Sequence, residues 1–205
     1  IEANKEVSKF GLIVLKLYSF IPHLLVEKQG KKLRDRMARI KKYEEITDKM
    51  EMEIADYLAK ASQGRLSDSV STKVRSMISI INDMERIGDI CYQMSIEIER
   101  KNEKKISFNK ELDSNLEELL GAVNNSLELM NKNLNTHYSQ VSLSKADELE
   151  VGINKLRDRL KQDYLERIEK GNIKISEGMI YINLVHSLEK IGDHVFNITE
   201  AITGN

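Results

Sequence analysis

Met84-Glu85-Arg86-Ile87-Gly88-Asp89 recurs 104 places later as Leu188-Glu189-Lys190-Ile191-Gly192-Asp193. The match runs outward in both directions. Ile78 and Ile81 pair with Ile182 and Val185, and Tyr92, Met94 and Ile98 pair with Phe196, Ile198 and Ile202. The segment before each copy also corresponds. A shift of 106 places brings Tyr43, Met50 and Ile54 onto Leu149, Leu156 and Leu160, so the connecting loop differs by two residues. An internal repeat of this length is one supersecondary unit used twice. The spacing places the boundary near Lys104–Ser107 and predicts units at 1–105 and 106–205.

Each unit reads as helix. Val7, Phe10, Val14, Leu17, Ile21 and Leu25 share one face of a first segment, and Ile40, Tyr43, Thr47, Met50, Ile54 and Tyr57 one face of a second. In the third, Val70, Val74, Met77, Ile81, Met84, Gly88, Cys91 and Ile98 alternate by threes and fours, the seam of a bundle helix. Gly30, Gly64 and Gly171 follow periodic runs as C′ residues. Ser67, Ser107 or Asn109, Ser142 and Ser176 precede new runs as N-caps. Six helices are predicted at roughly 3–28, 33–62, 67–103, 109–136, 142–170 and 175–203, with Pro22 set to kink or shorten the first. The expected fold is all-α, two tandem three-helix bundles.

Composition agrees. The 205 residues include 40% hydrophobic and 32% charged side chains, but only one Pro and no Trp, which favours helix over sheet. A net charge of -1 gives no global pull toward nucleic acid or anionic lipid. The single cysteine, Cys91, excludes an intrachain disulfide and falls on the apolar seam, where it packs as a small hydrophobe. The apolar stretch from Phe10 to Val26 is broken by Lys16, Pro22 and His23 and does not read as a membrane span; Glu2, Lys5, Glu6 and Lys9 stand where a signal peptide would be apolar. The first residue is Ile1, which suggests a fragment of a longer protein or processing.

The chemistry sits in carboxylate pairs. Residues four apart are neighbours on a helix face, so Glu85–Asp89, Glu189–Asp193 and Glu44–Asp48 each present two carboxylates together. Such clusters are hard oxygen ligands for Mg, Ca, Mn, Fe or Zn. In a chain this highly charged, similar pairs also decorate solvated faces, and Glu44–Asp48 taken alone reads that way. Recurrence of the other two pairs beside the same glycine favours a function for them. Mid-helix Gly88 and Gly192 each cost ~1 kcal/mol relative to Ala. Close helix approach explains that cost and predicts a site between the second and third helices.

Other residues offer less. His23, His137, His186 and His194 form no metal spacing, and no E-x-x-H occurs, against a di-iron oxidase. His194 reads better at a surface or interface than as a ligand. The basic run Lys28–Lys42, with eight Lys or Arg, reads as a solvated helix start; a membrane-facing or acidic-partner patch is the sharper alternative. No nucleophile elbow, phosphate-cradling loop or nucleotide fingerprint is present, and no proton-transfer group accompanies the carboxylates. The expectation is a binding module and not an enzyme.

The E-R-I-G-D and E-K-I-G-D segments in their two-fold three-helix setting resemble the PhoU family. Asp193-His194 followed by Asn197-Ile198-Thr199-Glu200 is similar to the family's continuation. Within the family, Glu44-Glu45-Ile46-Thr47-Asp48, Glu53-Ile54-Ala55-Asp56-Tyr57-Leu58 and Ile80-Ile81-Asn82-Asp83-Met84-Glu85-Arg86-Ile87-Gly88-Asp89 look like the PhoU-like domain that follows the membrane part of bacterial Na/Pi cotransporters. The opening Ala3-Asn4-Lys5-Glu6-Val7 is similar to its entry helix. The resemblance implies a regulatory or accessory domain of sodium-dependent phosphate transport. Such a domain is held at the cytoplasmic face of the inner membrane, by a transporter domain of the same chain or beside a separate phosphate transporter. A homodimer is among the expected assemblies. A free-standing PhoU-type regulator is the alternative. It also implies divalent, iron or zinc ions at the acidic pairs: Glu44, Asp48, Glu85 and Asp89 in the first unit, and Glu150, Glu189 and Asp193 in the second. Asn154 departs from the pattern where Asp48 predicts a carboxylate, and Lys190 replaces Arg86, losing a planar fork.

Overall fold

A computed structural model describes residues 2–27, 30–63, 67–171 and 175–204. The helices are α1 (Glu2–Tyr18), α2 (Phe20–Val26), α3 (Lys31–Ala61), α4 (Asp68–Glu103), α5 (Lys110–Leu134), α6 (Ser144–Glu169) and α7 (Ile175–Thr203), with a single 3-10 turn at Tyr138–Gln140. No strand occurs among the described residues.

The helix bounds follow the sequence signals closely, with four differences. The first expected helix is split at Ser19. Pro22 has no N–H for the Tyr18 carbonyl, so the α1 ladder stops there and Pro22 sits in the first turn of α2, where its missing donor is tolerated. Ser142 does not cap α6, whose N-cap position is Leu143 with no side-chain bond, and Ser176 lies inside α7. Of the other caps, Ser67 accepts from the Val70 N–H at 3.4 Å and Asn109, not Ser107, accepts from the Leu112 N–H at 2.9 Å. Gly171 ends α6 in the left-handed region at φ 68, as a C′ glycine does. Gly30 has φ 98 but serves as the N-cap of α3, and Gly64 lies outside the described residues.

The two repeat-bearing helices, α4 and α7, make the most extensive contact in the molecule. On one side α3 packs on α4, and on the other α5 and α6 pack on α7. Helix α1 lies against α3, α4 and α5 and so spans both halves. The Tyr18 hydroxyl donates to the Leu120 carbonyl at 2.7 Å, fixing α1 to α5. A single apolar cluster runs through all seven helices.

Helix α1 with α2 explains the apolar N-terminal stretch. Ala3–Val26 is long and apolar enough, by length and composition, to cross a membrane. Here Val7, Phe10, Val14, Leu17, Ile21 and Leu24 are all buried in the bundle, which accounts for their apolar character without lipid. Cys91 is fully buried, and burial pushes its thiol well above the usual range, as a core cysteine requires. In the basic run, Arg36 pairs with Glu27 at 3.1 Å, and Arg39 and Lys16 stand 5.7 and 5.5 Å from the Phe20 ring. Those contacts belong to a solvated helix start; Lys28 lies outside the described residues.

Candidate functional site

Close approach of α3 and α4 creates the site. Thr47 on α3 is fully buried, and its hydroxyl donates to the Glu44 carbonyl at 2.6 Å. A Cβ added at Gly88 would fall 2.5 Å from the Thr47 Oγ1 and 3.2 Å from its Cβ. No other residue type fits that contact undisturbed, so the glycine has the packing reason its sequence position suggests. The next residue on each helix carries a carboxylate: Asp48 follows Thr47 and Asp89 follows Gly88.

One carboxylate oxygen from each of Glu44, Asp48 and Asp89 lies within 4.8 Å of the others, all three side chains being partly buried. The cluster thus lies between two helices and includes both Glu44 and Asp48. Glu85 stands one turn before Asp89 and lies outside this group of three. Glu51, one turn beyond Asp48 on α3, adds a fifth negative charge that acts on Glu85.

Burial and mutual repulsion raise several of these acids. Desolvation lifts Glu44, with Asp48 and Asp89 adding to it. Desolvation also lifts Asp48, followed by Asp89 and Glu45. Glu85 is raised by desolvation, then by Asp89, Asp48 and Glu51. None of the five carboxylates forms an ion pair among the described residues, apart from Lys49 and Lys60 pairings that involve other acids of α3. The Asp48 Oδ1 is closed off from solvent without a hydrogen-bond partner. A buried, unpartnered carboxylate oxygen beside two further carboxylates is a site short of positive charge, and a divalent cation with oxygen preference fits that donor set.

The second half differs at the same positions. Glu150 and Asn154 on α6 stand where Glu44 and Asp48 stand on α3, and the Asn154 amide donates to the Glu150 carboxylate. Arg157 occupies the place of Glu51, and its guanidinium pairs with Glu189. Desolvation raises Asp193, with Glu189 and Glu150 adding to it, while His194 and Arg157 pull the other way. A Cβ at Gly192 would meet only the Ile153 side chain, at 3.1 and 3.2 Å. Glu150 and Glu189 are therefore each paired here, with the Asn154 amide and the Arg157 guanidinium, while the Asn154 Oδ1 is buried without a partner. His194 turns away from them: its Nδ1 lies 2.8 Å from the Asp83 Oδ1, joining α7 to α4, which is an interface role.

Sequence reasoning found both carboxylate sets but missed Glu51 and Arg157. The signal was available, since the 106-place shift sets one directly on the other.

Fold and acidic seam together define an all-helical bundle with a carboxylate cluster between two of its helices. The PhoU domain family matches residues 24–98, which contain α3, most of α4 and the whole first acidic group. The phosphate-specific transport system accessory protein PhoU homolog 1 of Thermotoga maritima is 28% identical over 136 residues, covering 63% of this chain. The chain spans little more than half, 56%, of that curated relative. In fold, the chain is similar to the phosphate transport system regulatory protein PhoU from Streptococcus pneumoniae, with a TM-score of 0.80, 19% identity and coverage of 98% of this chain and 91% of the other. PhoU from Pseudomonas aeruginosa gives a TM-score of 0.74 at 15% identity, covering 98% and 93%. Residues 24–98 thus match the PhoU domain, and the fold of the chain is similar to that of the two solved PhoU structures.

Proposed function

We propose that the chain is a PhoU-type regulatory protein of phosphate transport, acting through a cation-dependent seam in its first half and not through catalysis. The observation that carries this reading is the convergence of Glu44, Asp48 and Asp89 inside the segment that matches the PhoU domain. Glu85 supports the group from the next turn. Glu150, Glu189 and Asp193 form the weaker counterpart.

A divalent, iron or zinc ion bound there would supply positive charge to the three carboxylates and join α3 to α4. The protein's own part is to hold the carboxylates near one another against their repulsion, through the Gly88–Thr47 contact. Neutralising that repulsion stiffens the α3–α4 pair and so sets the surface those helices show to a transport component. Loss of the charge lets the two helices separate more readily.

The relatives are named as accessory and regulatory PhoU proteins, which favours a free-standing regulator of phosphate uptake over a domain of a Na/Pi cotransporter. The partner is then a separate phosphate transporter, and the place of action is the cytoplasmic side of the membrane. Full gene length separates the readings: a block of apolar spans encoded ahead of Ile1 would restore the tethered one.

The test is phosphate uptake in cells lacking the gene. Wild-type protein should restore the parental uptake rate, and Asp48→Asn/Asp89→Asn, produced at the same level, should not. Equal restoration by both would remove the acidic seam from the regulation; no change in uptake on deleting the gene would remove the regulation itself.

A further inference from the structure

A second cleft lies away from the acidic seam and has the opposite electrostatic character. The start of α4 is open to solvent, and Val70, expected on the buried seam, is 43% exposed. Between the first turns of α4, the start of α1, the turn after α5 and the end of α7 is a cleft of about 850 Å³. Met77 on its wall is 12 residues before Asp89, about 18 Å away at 1.5 Å per residue.

Lys5 and Lys9 of α1 and Lys73 of α4 line the cleft, with His137 from the turn after α5. No Asp or Glu is among the described residues that line it. Lys9 is countered by Glu6 at 2.5 Å. Lys5 and Lys73 form no ion pair among the described residues. In a chain of near-zero net charge, this end carries cations from two different helices facing one concavity. Such an arrangement concentrates field lines and draws in anions.

The cleft is not only charged. Leu12, 55% exposed, Met77 and Ile202 supply an apolar surface between the lysines. Tyr138 lines it too, and its hydroxyl is closed off without a partner among the described residues. An apolar wall with a few convergent polar groups, in a volume within the range of small-molecule sites, fits a ligand with an apolar or planar body and an anionic head. Inorganic phosphate would leave the apolar wall unused.

We infer that this cleft binds a small organic phosphate of nucleotide size, its phosphate held by Lys5 and Lys73 and its body resting on Leu12, Met77 and Ile202. The site is independent of the acidic seam. It gives the protein a second input, an anionic metabolite, near the start of α4.

Calorimetric titration of the full chain with AMP, adenosine and inorganic phosphate tests it. AMP should bind measurably below about 1 mM, a modest affinity of ~4 kcal/mol. Adenosine and inorganic phosphate should each bind at least about tenfold more weakly, each lacking one of the two halves of the contact. Lys5→Gln/Lys73→Gln, both exposed positions, should weaken AMP by a similar factor, and Leu12→Gln should do so without altering the lysines. Asp48→Asn/Asp89→Asn should leave AMP binding unchanged. Absence of AMP binding at about 10 mM, well beyond the expected range, would overturn the inference. So would unaltered affinity in the lysine variant, or inorganic phosphate binding as tightly as AMP.

Discussion

Two helix pairs carrying the same sequence repeat do different things with the same scaffold. Between α3 and α4, Glu44, Asp48 and Asp89 converge with Glu85 and Glu51 near them, and Lys41 and Arg86 offset their charge only in part. Between α6 and α7, Asn154 and Arg157 stand in place of Asp48 and Glu51, and Glu150 and Glu189 pair with them. Two differences replace two carboxylates by an amide and a cation. The glycines follow the same division. Gly88 sits against the Thr47 hydroxyl with no spare room, whereas Gly192 faces a flexible Ile153. The first half keeps tight geometry and unbalanced charge, the combination a ligand site needs; the second keeps stable packing.

The strongest way to break this comparison is to interchange the two seams. Asn154→Asp/Arg157→Glu should give the second half the first half's charge and raise its affinity for divalent metal by about 100-fold, roughly 2.7 kcal/mol. Competition with a metal-sensitive dye would read the change. An unaltered isotherm would mean that the two positions do not decide the difference.

Packing predicts the next largest effect. Gly88→Ala should destabilise the chain by about 1–3 kcal/mol, because Thr47 cannot retreat without losing its hydroxyl contact. Gly192→Ala should be close to neutral, the ~1 kcal/mol gain in helix propensity offsetting a mild contact with Ile153. Denaturant unfolding compares them, and Thr47→Ala should partly rescue Gly88→Ala. Equal losses at the two glycines would refute the asymmetry.

Removing the internal cation comes next. Arg157→Ala should cost about 1 kcal/mol at neutral pH, since it leaves Glu189 and Asp193 facing each other in a partly exposed pair. Thermal melting detects this as a fall of roughly 2–4 °C. A variant as stable as wild type would show the pair to be incidental.

The smallest effect is on pH dependence. Glu44, Asp48 and Glu85 are raised in the folded state. An acid whose pKa is higher folded than unfolded binds more protons when folded, so it stabilises the fold less as pH rises through that window. Metal-free protein should therefore gain stability as pH is lowered from neutral toward the raised values. Asp48→Asn should flatten that slope and raise stability at pH 7 by a few tenths of a kcal/mol, about 1 °C. A steeper slope in the variant would contradict the charge repulsion.

Helices and their seams were legible in the sequence because each residue's face follows from its place in the chain. Val7, Phe10, Val14, Leu17 and Ile21 are buried as their spacing requires, and Ser67 and Asn109 cap the helices they precede. The repeat also pointed to the glycine contact. What periodicity could not supply was distance across the bundle. It paired Glu44 with Asp48 but could not set them against Asp89, because that depends on how closely α3 and α4 approach. Nor could it show that Val70, on the same seam, is 43% exposed, since a seam is buried only as far as its partner extends. Recurrence of acids does not reveal Arg157, because the informative position is one where the charge reverses between the repeats.

The central claim is that the first seam, and not the second, takes the cation. Equilibrium dialysis of manganese against wild type, Glu44→Gln/Asp48→Asn and Glu150→Gln/Asp193→Asn tests it most directly. The account predicts that bound manganese disappears in the first variant and persists in the second. Retention in the first variant with loss in the second would contradict it.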